Sequence, residues 1–342
     1  MSSEPPPLTS SVAEPGVPQA TAELIADRGE AAVDEQLFRC REFFDAEGAT
    51  HTLRIVAAEV ELLAPLIVRA IGDGPEHDAI SPYGYPGLSR RVRTYPRIAG
   101  ISADSATGAA GGIDPAAIDF SATGLVSVFL RHRLDFLPLA GTSQRSVVQV
   151  ADPSLPRKSR PSDRRQVRRN LEAGYRLELV PGAETTAAQR VGFLDLYEQT
   201  MRRTGAASHY FFAAAYFDRV LEADRTWLAL AGAPDGTLAA ASLAVVSDGF
   251  LHYYLSGSAD SHLHDSPMKN VVTRLVELAA ELALPLNLGG GISPGDALEE
   301  FKRGFANRQI PWQTTELICD PEKYSSLSGD RDTGGFFPAY RA

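Results

Sequence analysis

A lysine set among apolar residues is the side chain of this sequence best suited to chemistry. Between Leu286 and Phe305 an apolar strand ends in three glycines, and a helix follows. Four residues of this helix have the i, i+3, i+4, i+7 spacing of a buried face: Leu298, Phe301, Lys302 and Phe305. A lysine on such a face must reach solvent, find a partner or line a cavity. A glycine turn after a strand is where open α/β sheets place their ligands, so Lys302 is a candidate site residue.

The start of the Lys302 helix is predicted from local capping signals. Ser293 is placed to cap it, Pro294 to occupy its first position, and Asp296 to complete a variant of the capping box. Lysine is also rare here, since only four of the 33 basic residues are lysines. A lysine kept on an apolar face indicates that this place requires a compact ammonium group whose pKa can shift. The alternative is a structural lysine that pairs with Glu299 or extends to solvent.

Aromatic and basic residues elsewhere are candidates for binding a substrate. Tyr83 and Tyr85 stand in a loop, 81–87, whose prolines and glycines argue against regular structure. Such a frame holds phenol rings rigidly against a ligand; alternatively, the loop is a structural plug. Arg203 ends a Tyr-x-x-Thr-x-x-Arg pattern on a helix, with plain solvation as its alternative. Tyr254, on a strand, is either a cleft residue or a core tyrosine.

One short segment carries an excess of positive charge. Its candidates for phosphate contact are Arg157, Lys158, Arg160, Arg164, Arg165 and Arg168. Arg169 follows them, and only Asp163 opposes them. The whole chain has a net charge of −10, which argues against general attraction to nucleic acid. The segment is therefore either a local phosphate-binding face or a solvated, arginine-rich helix.

The composition is typical of a globular protein of roughly two domains. The chain has 342 residues, of which 44% are apolar and 22% charged. No apolar run reaches the ~18 residues of a membrane helix. Residues 1–20 are rich in proline and serine and lack a hydrophobic core, so we expect a disordered tail and not a secretion signal. The two cysteines, Cys40 and Cys319, are too few for a disulfide framework or a zinc site and fit a reducing cytoplasm.

The elements that must position these residues follow an informative order. From about residue 151 the patterns predict a helix, a strand, two helices and three antiparallel strands joined by Asp-Gly turns. A helix, a strand, the Lys302 helix and a last strand follow. This order matches an acyltransferase fold of the GNAT type, and the first half repeats it loosely. We therefore expect an α/β (α+β) fold of tandem GNAT-like domains, with mixed sheets flanked by helices.

Three segments together resemble the Fem family. They are the loop Ser-Pro-Tyr-Gly-Tyr-Pro-Gly at 81–87, the run Arg-Arg-Asn-Leu-Glu-Ala-Gly at 168–174, and Phe301-Lys302 with Phe305. Members of this family move an amino acid from aminoacyl-tRNA onto an amine. The resemblance implies two GNAT-like domains, here 21–150 and 151–319, with residues 320–342 returning to the first. Because the chain has no long heptad stretch, it is similar to the compact members.

The resemblance also implies a function and a role for each candidate residue. The protein would form an amide on a small-molecule or peptidoglycan-precursor amine, with antibiotic biosynthesis as one setting. Lys302 would stabilise the oxyanion, and Phe301 would place the aminoacyl end. The acceptor would meet Tyr83, Tyr85, Arg203 and Tyr254, and the basic residues of 157–168 would contact the tRNA. Aminoacyl-tRNA is the expected co-substrate, without a cofactor or metal, in a cytoplasmic monomer.

The sequence also allows two other functions. Acyl-CoA N-acyltransferases share the fold but bind the CoA pyrophosphate at a glycine-rich turn that begins the helix after the fourth strand. Here that place, residues 258–267, lacks such a motif, and Asp260 and Asp265 would repel a pyrophosphate. This favours aminoacyl-tRNA as the donor. The second alternative is a non-catalytic binding module on a GNAT fold.

Overall fold

A computed structural model describes residues 19–32, 35–57, 60–92, 112–134, 136–330 and 335–342. Its strands are β1 (Ala20–Ile25), β2 (His51–Ala57), β3 (Val60–Ala70), β4 (His77–Ile80), β5 (Ser89–Val92), β6 (Ile118–Asp119), β7 (Leu125–Arg131), β8 (Ser143–Ala151), β9 (Arg176–Pro181), β10 (Thr226–Gly232), β11 (Leu238–Ser247), β12 (Phe250–Ser258), β13 (Leu286–Gly289) and β14 (Arg308–Ile318). Its α-helices are α1 (Arg41–Glu47), α2 (Pro161–Glu172), α3 (Ala187–Arg203), α4 (Ala214–Glu222), α5 (Met268–Glu281), α6 (Ala297–Arg303) and α7 (Pro321–Ser328).

Only the last two residues of the predicted N-terminal tail, 19 and 20, lie among the described residues. Residues 1–18 of the predicted tail lie outside the described residues, whereas β1 already begins at Ala20, within the stretch predicted to be a tail. Among the helices that the structure describes, none is long and apolar enough to cross a membrane.

The fourteen described strands lie in one mixed sheet. Their order is β6-β1-β2-β3-β4-β7-β14-β8-β13-β12-β11-β10-β9, with β5 paired to β3. β14 joins the two halves of the sheet, because it pairs antiparallel with β7 on one side and with β8 on the other. The predicted α/β architecture, a mixed sheet flanked by helices, is confirmed.

The two halves of the sheet repeat one pairing pattern. In the first half, β1 to β4 pair antiparallel in sequence, and β4 then pairs parallel with β7. In the second half, β9 to β12 pair antiparallel in sequence, and β12 then pairs parallel with β13. The helices α3 and α4 lie between β9 and β10, as α1 lies between β1 and β2. The repetition is therefore one of topology, although no repeat is visible in the sequence.

The predicted domain boundaries remain a prediction, but two contacts bear on them. β8 pairs with β13 and β14 in the sheet of the second half, although the boundary at residue 150 assigns most of this strand to the first. The C-terminal segment contacts the first half: the Tyr340 and Ser127 hydroxyls lie 2.7 Å apart, and Arg341 Nη2 donates to Asp78 Oδ1 at 3.0 Å.

The two halves share an aromatic core. Phe38 and Phe43, at the start of α1, pack in one cluster with Tyr197 of α3 and Phe217 of α4. The Phe38 ring lies edge-on to that of His252 on β12, with 5.0 Å between centroids. Phe38 is fully buried, so close packing fixes the first half against β12.

One predicted turn is wrong. In the apolar sequence from Leu53 to Ile71, the proline favours a turn near Leu63–Pro65, whereas these residues lie inside β3, with Pro65 opposite Thr52 of β2. Residues 62–66 are buried on both faces of the sheet. Burial of this apolar run therefore outweighs the turn signal of the proline, whose missing N–H is tolerated at some strand positions.

Candidate active site

The candidate site begins where β12 and β13 separate. These parallel strands pair only at Leu251–Leu286 and His252–Asn287. Beyond that point the register between β11 and β12 shifts, so that Tyr254 of β12 has no partner residue on β11. The other strand, β13, ends at Gly289, whose backbone is left-handed with φ +76°. The pairing of β12 with β13 therefore ends here, and this opening of the ladder lies beside the glycines 289–291.

Lys302 is directed at this opening from α6. Its Nζ donates to the carbonyl oxygen of Gly290 at 2.6 Å, and the side chain is 8% exposed. A Cβ on Gly289 would lie 3.1 Å from Nζ, so the glycine allows the ammonium to approach the backbone closely. Burial lowers the pKa of Lys302 from 10.5 to about 8, and the negative charge of Asp296 partly opposes this shift.

Neither structural alternative for Lys302 matches these contacts. Glu299 is engaged elsewhere, because its carboxylate accepts from Arg303 and from the backbone N–H of Gly295. At 8% exposure the ammonium does not extend to solvent. Within the part of the chain that the structure describes, the Gly290 carbonyl is its hydrogen-bond partner. An ammonium has three donors, so the other two can serve a ligand.

The cap of α6 differs from the predicted one. Asp296, not Ser293, is the N-cap: its Oδ1 accepts from Glu299 N at 2.7 Å, and its Oδ2 from Ser293 N at 2.9 Å. α6 consequently begins at Ala297, after Pro294. The Asp296 carboxylate accepts from one N–H of the first turn and from the N–H groups of Ile292 and Ser293 before the helix, which explains why it displaces the serine.

The apolar face of α6 is narrower than its spacing predicts. Phe301 is half-buried and packs edge-on against the buried Phe305, with 5.5 Å between centroids. Leu298, expected on the same buried face, is 39% exposed because α6 begins only one residue earlier. Phe301 therefore neighbours Lys302 on a short helix at the edge of the core.

The loop 81–87 brings both of its tyrosines to the second half of the protein. The Tyr83 ring lies 5.9 Å from that of Tyr254, and the Tyr85 ring 5.0 Å from that of His252. Gly84 approaches Phe38 so closely that a Cβ would lie 2.7 Å from its ring. Both tyrosines are half-buried as residues, and burial raises the pKa of each hydroxyl, so the loop packs as a plug against the second half.

A chain of polar contacts links Tyr85 to the glycines beside Lys302. Tyr85 hydrogen-bonds to the Asn287 side chain, whose Oδ1 accepts from Gly289 N at 2.8 Å. Asn287 Nδ2 lies 3.0 Å from His252 Nδ1, and His252 Nε2 must donate to Ser247 O at 3.1 Å. Burial lowers the pKa of His252 to about 4, so this imidazole is neutral and orients Asn287.

Sequence reasoning missed two ionisable residues near Tyr83. Glu47 ends α1, and its Oε2 accepts from Tyr83 N at 2.8 Å. Arg131 ends β7, where its Nη1 donates to Ser81 O at 2.6 Å. Burial raises the pKa of Glu47, and the charge of Arg131 partly offsets the shift. No local pattern marks either residue, because both contacts depend on the docking of the distant loop 81–87.

Arg203 is occupied by contacts at the far end of β12. Its guanidinium bonds with Asp260, with Ser258 O at 3.2 Å and with Thr200 Oγ1 at 3.1 Å. These partners tie the end of α3 to the end of β12. The described contacts give Arg203 a structural role and do not connect it with the tyrosines or with Lys302.

The basic segment forms an exposed surface next to α6. Arg164, Arg165 and Arg168 are exposed on α2, and Arg157 and Lys158 are exposed just before it. Arg160 differs, because it is half-buried and pairs with Glu300 of α6 at 2.8 Å. A cleft of about 360 Å³ is lined by Arg157 and Lys158 on one side and by Phe305 and α5 on another.

The backbone N–H groups at the start of α5 are hydrogen-bonded within the protein and are not free to bind an anion. Lys269 N and Asn270 N bond back to Ser266 O and Pro267 O at 3.0 and 2.9 Å. The buried Asn170 of α2 donates to Asn270 Oδ1 at 2.7 Å and to Asp265 O at 2.9 Å. The N–H groups that would hold a pyrophosphate are thus largely satisfied within the chain.

Comparisons with known proteins agree with this geometry. A family model described as an acetyltransferase (GNAT) domain matches residues 157–303. The solved structure of FemX has 11% sequence identity and a TM-score of 0.56, and the match covers 89% of this chain and 99% of FemX. L-PGS from Bacillus licheniformis has 11% identity and a TM-score of 0.49, covering 80% of this chain and 82% of that one.

A third solved structure is the C-terminal domain of a putative lysylphosphatidylglycerol synthetase from Agrobacterium fabrum. Its identity is 11% and its TM-score 0.48, with 78% of this chain and 83% of that chain covered. Among proteins of curated function, none matches the sequence.

The family match ends at Arg303 and so includes Lys302, α6 and the separating strands. At 11% identity, the likeness to FemX concerns the fold, which it extends over nearly the whole chain. These findings support the resemblance seen in the sequence: residues 157–303 match an acetyltransferase (GNAT) domain, and the fold of nearly the whole chain is similar to that of FemX.

Proposed function

We propose that this protein transfers an amino acid from aminoacyl-tRNA to an amine and so forms an amide bond. The acceptor is a small molecule or a peptidoglycan precursor. The observation that carries the proposal is the buried ammonium of Lys302, held 2.6 Å from Gly290 O at the opening between β12 and β13. Lys302 is also the residue to which the Fem resemblance gives the catalytic role.

The chemistry needs a positive charge at that place. When an amine attacks the ester carbonyl of an aminoacyl-tRNA, negative charge develops on the carbonyl oxygen. A fixed donor to such an oxyanion commonly contributes ~3 kcal/mol to catalysis. Lys302 has two donors left for this oxygen, and its buried setting strengthens their effect. Phe301, beside it, is proposed to position the aminoacyl group.

The start of α5 supports aminoacyl-tRNA over acyl-CoA as the donor. A CoA pyrophosphate needs free backbone N–H groups at this helix start, but those of Lys269 and Asn270 are bonded within the chain. Asp265 lies next to this place, and its backbone carbonyl already accepts from Asn170. A pyrophosphate here would displace these contacts and meet a carboxylate.

The exposed face of α2 supports tRNA binding. Arg164, Arg165 and Arg168 face solvent, and α2 is tied to the catalytic helix by the Arg160–Glu300 pair at 2.8 Å. Phosphate contacts of this kind position a nucleic acid without reading its sequence. The cleft beside Arg157 and Lys158 is also lined by Phe305, two residues after the Lys302 helix, and by the carboxylates of Asp152, Glu277 and Glu281.

The decisive experiment offers the purified protein a pool of charged tRNAs together with candidate amines and detects amides by mass spectrometry. We expect product only with charged tRNA, and none after RNase treatment. Lys302→Ala should lower kcat/KM at least about 100-fold. Lys323→Ala is the matched control, because Lys323 is exposed on α7 and, among the described residues, pairs with Asp320 at 3.2 Å.

The competing functions give different results. The match to an acetyltransferase domain makes an acyl-CoA N-acyltransferase the second candidate. Product formed from acyl-CoA without tRNA would refute the proposal in its favour. A non-catalytic binding module predicts no product with either donor and no effect of Lys302→Ala.

A further inference from the structure

Glu47 has a buried carboxylate oxygen that the described protein leaves unused. Oε2 accepts from Tyr83 N at 2.8 Å. Oε1 is buried and, among the described residues, has no hydrogen-bond partner of normal geometry. A buried acceptor without a donor is unfavourable, and native proteins rarely keep one without a reason. A ligand that brings a donor would remove this deficit.

Aromatic rings lie around Glu47. The Tyr83 ring lies 5.9 Å from that of Tyr254 and 5.8 Å from that of Tyr210, and Phe212 stacks on Tyr216 at 4.2 Å. Tyr83, Tyr210 and Tyr254 are half-buried, whereas Tyr216 is buried. Glu47 is half-buried like these three tyrosines, so its carboxylate belongs to a partly exposed aromatic cluster, in which Tyr216 is buried.

The donors already present do not satisfy Glu47. The Tyr216 hydroxyl interacts with its carboxylate but also lies 2.7 Å from the Tyr254 hydroxyl. Tyr254 can be the donor in that pair and leave the Tyr216 proton for Glu47, but no hydrogen bond of normal geometry joins Tyr216 to Oε1. Arg131 attracts Glu47 from a distance, and its Nη1 donates to Ser81 O. A carboxylate within aromatic walls, with one oxygen free, suits a cation that also carries N–H donors.

We propose that Glu47 and the tyrosines around it bind an ammonium group of the acceptor. The ammonium would donate to Glu47 Oε1 and lie against the faces of Tyr83 and Tyr254. Glu47 is then a specificity-determining residue that selects amine-bearing acceptors. Calling the ligand an acceptor rests on the proposed function, but the binding of an ammonium does not require aminoacyl-tRNA.

The pH dependence of binding distinguishes this role from a structural one. Burial raises the pKa of Glu47, and the groups that face it are Tyr83, Tyr197, Tyr216, Tyr254 and Arg131. Burial also raises the pKa of each of these tyrosines, and an arginine stays protonated near neutrality. Between acidic and neutral pH, Glu47 is thus the group in this set that titrates. Ammonium binding should weaken as pH falls through its pKa.

The test uses n-butylammonium as the probe, with n-butanol and butyrate as its neutral and anionic counterparts. Binding to the full-length protein is measured by ligand-observed NMR and calorimetry between pH 5 and 8. We expect n-butylammonium to bind at least about tenfold more tightly than n-butanol, and Glu47→Gln to abolish this preference and its pH dependence. Glu42→Gln, on the exposed face of α1, is the control and should change neither.

Two safeguards keep the result interpretable. If Glu47→Gln does not fold, Tyr254→Leu replaces it and should also reduce the preference for the ammonium over the alcohol. Preferential binding of butyrate, no binding by the wild type, or ammonium binding unchanged in the folded Glu47→Gln variant would overturn the site. Ammonium binding that depends on Glu47, in a protein inactive with charged tRNA, would sustain the site and refute only the proposed function.

Discussion

Replacing Lys302 with methionine should stabilise the protein at neutral pH while it removes activity. Burial moves the pKa of Lys302 from 10.5 to about 8. Each pKa unit corresponds to about 1.4 kcal/mol, so the charged form lowers stability by about 3 kcal/mol at pH 7. Lys302→Met removes this cost but also removes the hydrogen bond to Gly290, which contributes about 1–2 kcal/mol. The net gain expected at pH 7 is therefore about 1–2 kcal/mol.

The sign of this effect changes predictably with pH. Above the folded pKa of about 8, the native protein loses the Lys302 proton while the unfolded chain keeps it up to about 10.5. The wild type is consequently stabilised as pH rises through this window, and the variant is not. The advantage of Lys302→Met should fall by about 3 kcal/mol between pH 8 and 10.5. Other titrating groups are common to both proteins and cancel in the difference.

Urea unfolding of both proteins at pH 7, 8, 9 and 10 measures this difference directly. Lys302→Arg serves as a control for charge, because arginine stays protonated throughout. A difference in unfolding free energy that is flat from pH 7 to 10 would refute the reasoning, since it would mean that Lys302 titrates as a solvated lysine. A gain in stability with loss of turnover would identify a residue retained for function.

Two further predictions concern the basic face and the core. Arg165→Gln combined with Arg168→Gln should raise the KM for aminoacyl-tRNA about tenfold, lower the salt dependence of binding by about two counterions and leave kcat unchanged. Arg219→Gln, at an exposed position on α4, is the control. An unchanged salt slope in the double variant would exclude α2 as the tRNA contact. Gly257→Ala should lower the free energy of unfolding by about 3 kcal/mol, because the new Cβ would lie 2.3 Å from the backbone of Leu196. Thermal unfolding compares it with Gly232→Ala, whose Cβ would meet an ordinary contact at 4.0 Å. Similar losses in the two variants would contradict the steric argument.

The sequence predicts the second half well because its signals are local. The Asp-Gly turns, the capping box of α3 at Thr186 and Gln189, and the apolar periodicity of α5 each depend on residues a few positions apart. The burial of Lys302 is likewise a consequence of spacing on one helix. These features are read from short windows, and the structure shows the corresponding elements in the predicted order.

The parts that could not be predicted depend on contacts between distant segments. Glu47 meets Tyr83 across 36 positions, and the Asn287–His252 contact joins neighbouring strands across 35. Arg203 was a reasonable candidate from its helix pattern, but Asp260 lies 57 positions away and captures its guanidinium. A residue's helix face can be predicted from its neighbours in sequence, whereas its partner depends on which strands and loops pack together.

The two buried ionisable groups also constrain the reaction together. Lys302 and Glu47 have opposite charge, and burial moves both pKa values towards neutrality: that of Lys302 down to about 8 and that of Glu47 up. Each charged form therefore lowers stability, which a fold retains more readily at a functional site than elsewhere. Ring contacts through Tyr254 and Phe38 lead from Tyr83, beside Glu47, to His252, and hydrogen bonds lead on through Asn287 to Gly289, next to the partner of Lys302. If Glu47 holds the acceptor and Lys302 the oxyanion, both are charged only between the raised pKa of Glu47 and about pH 8, so the transfer reaction should be confined to that interval.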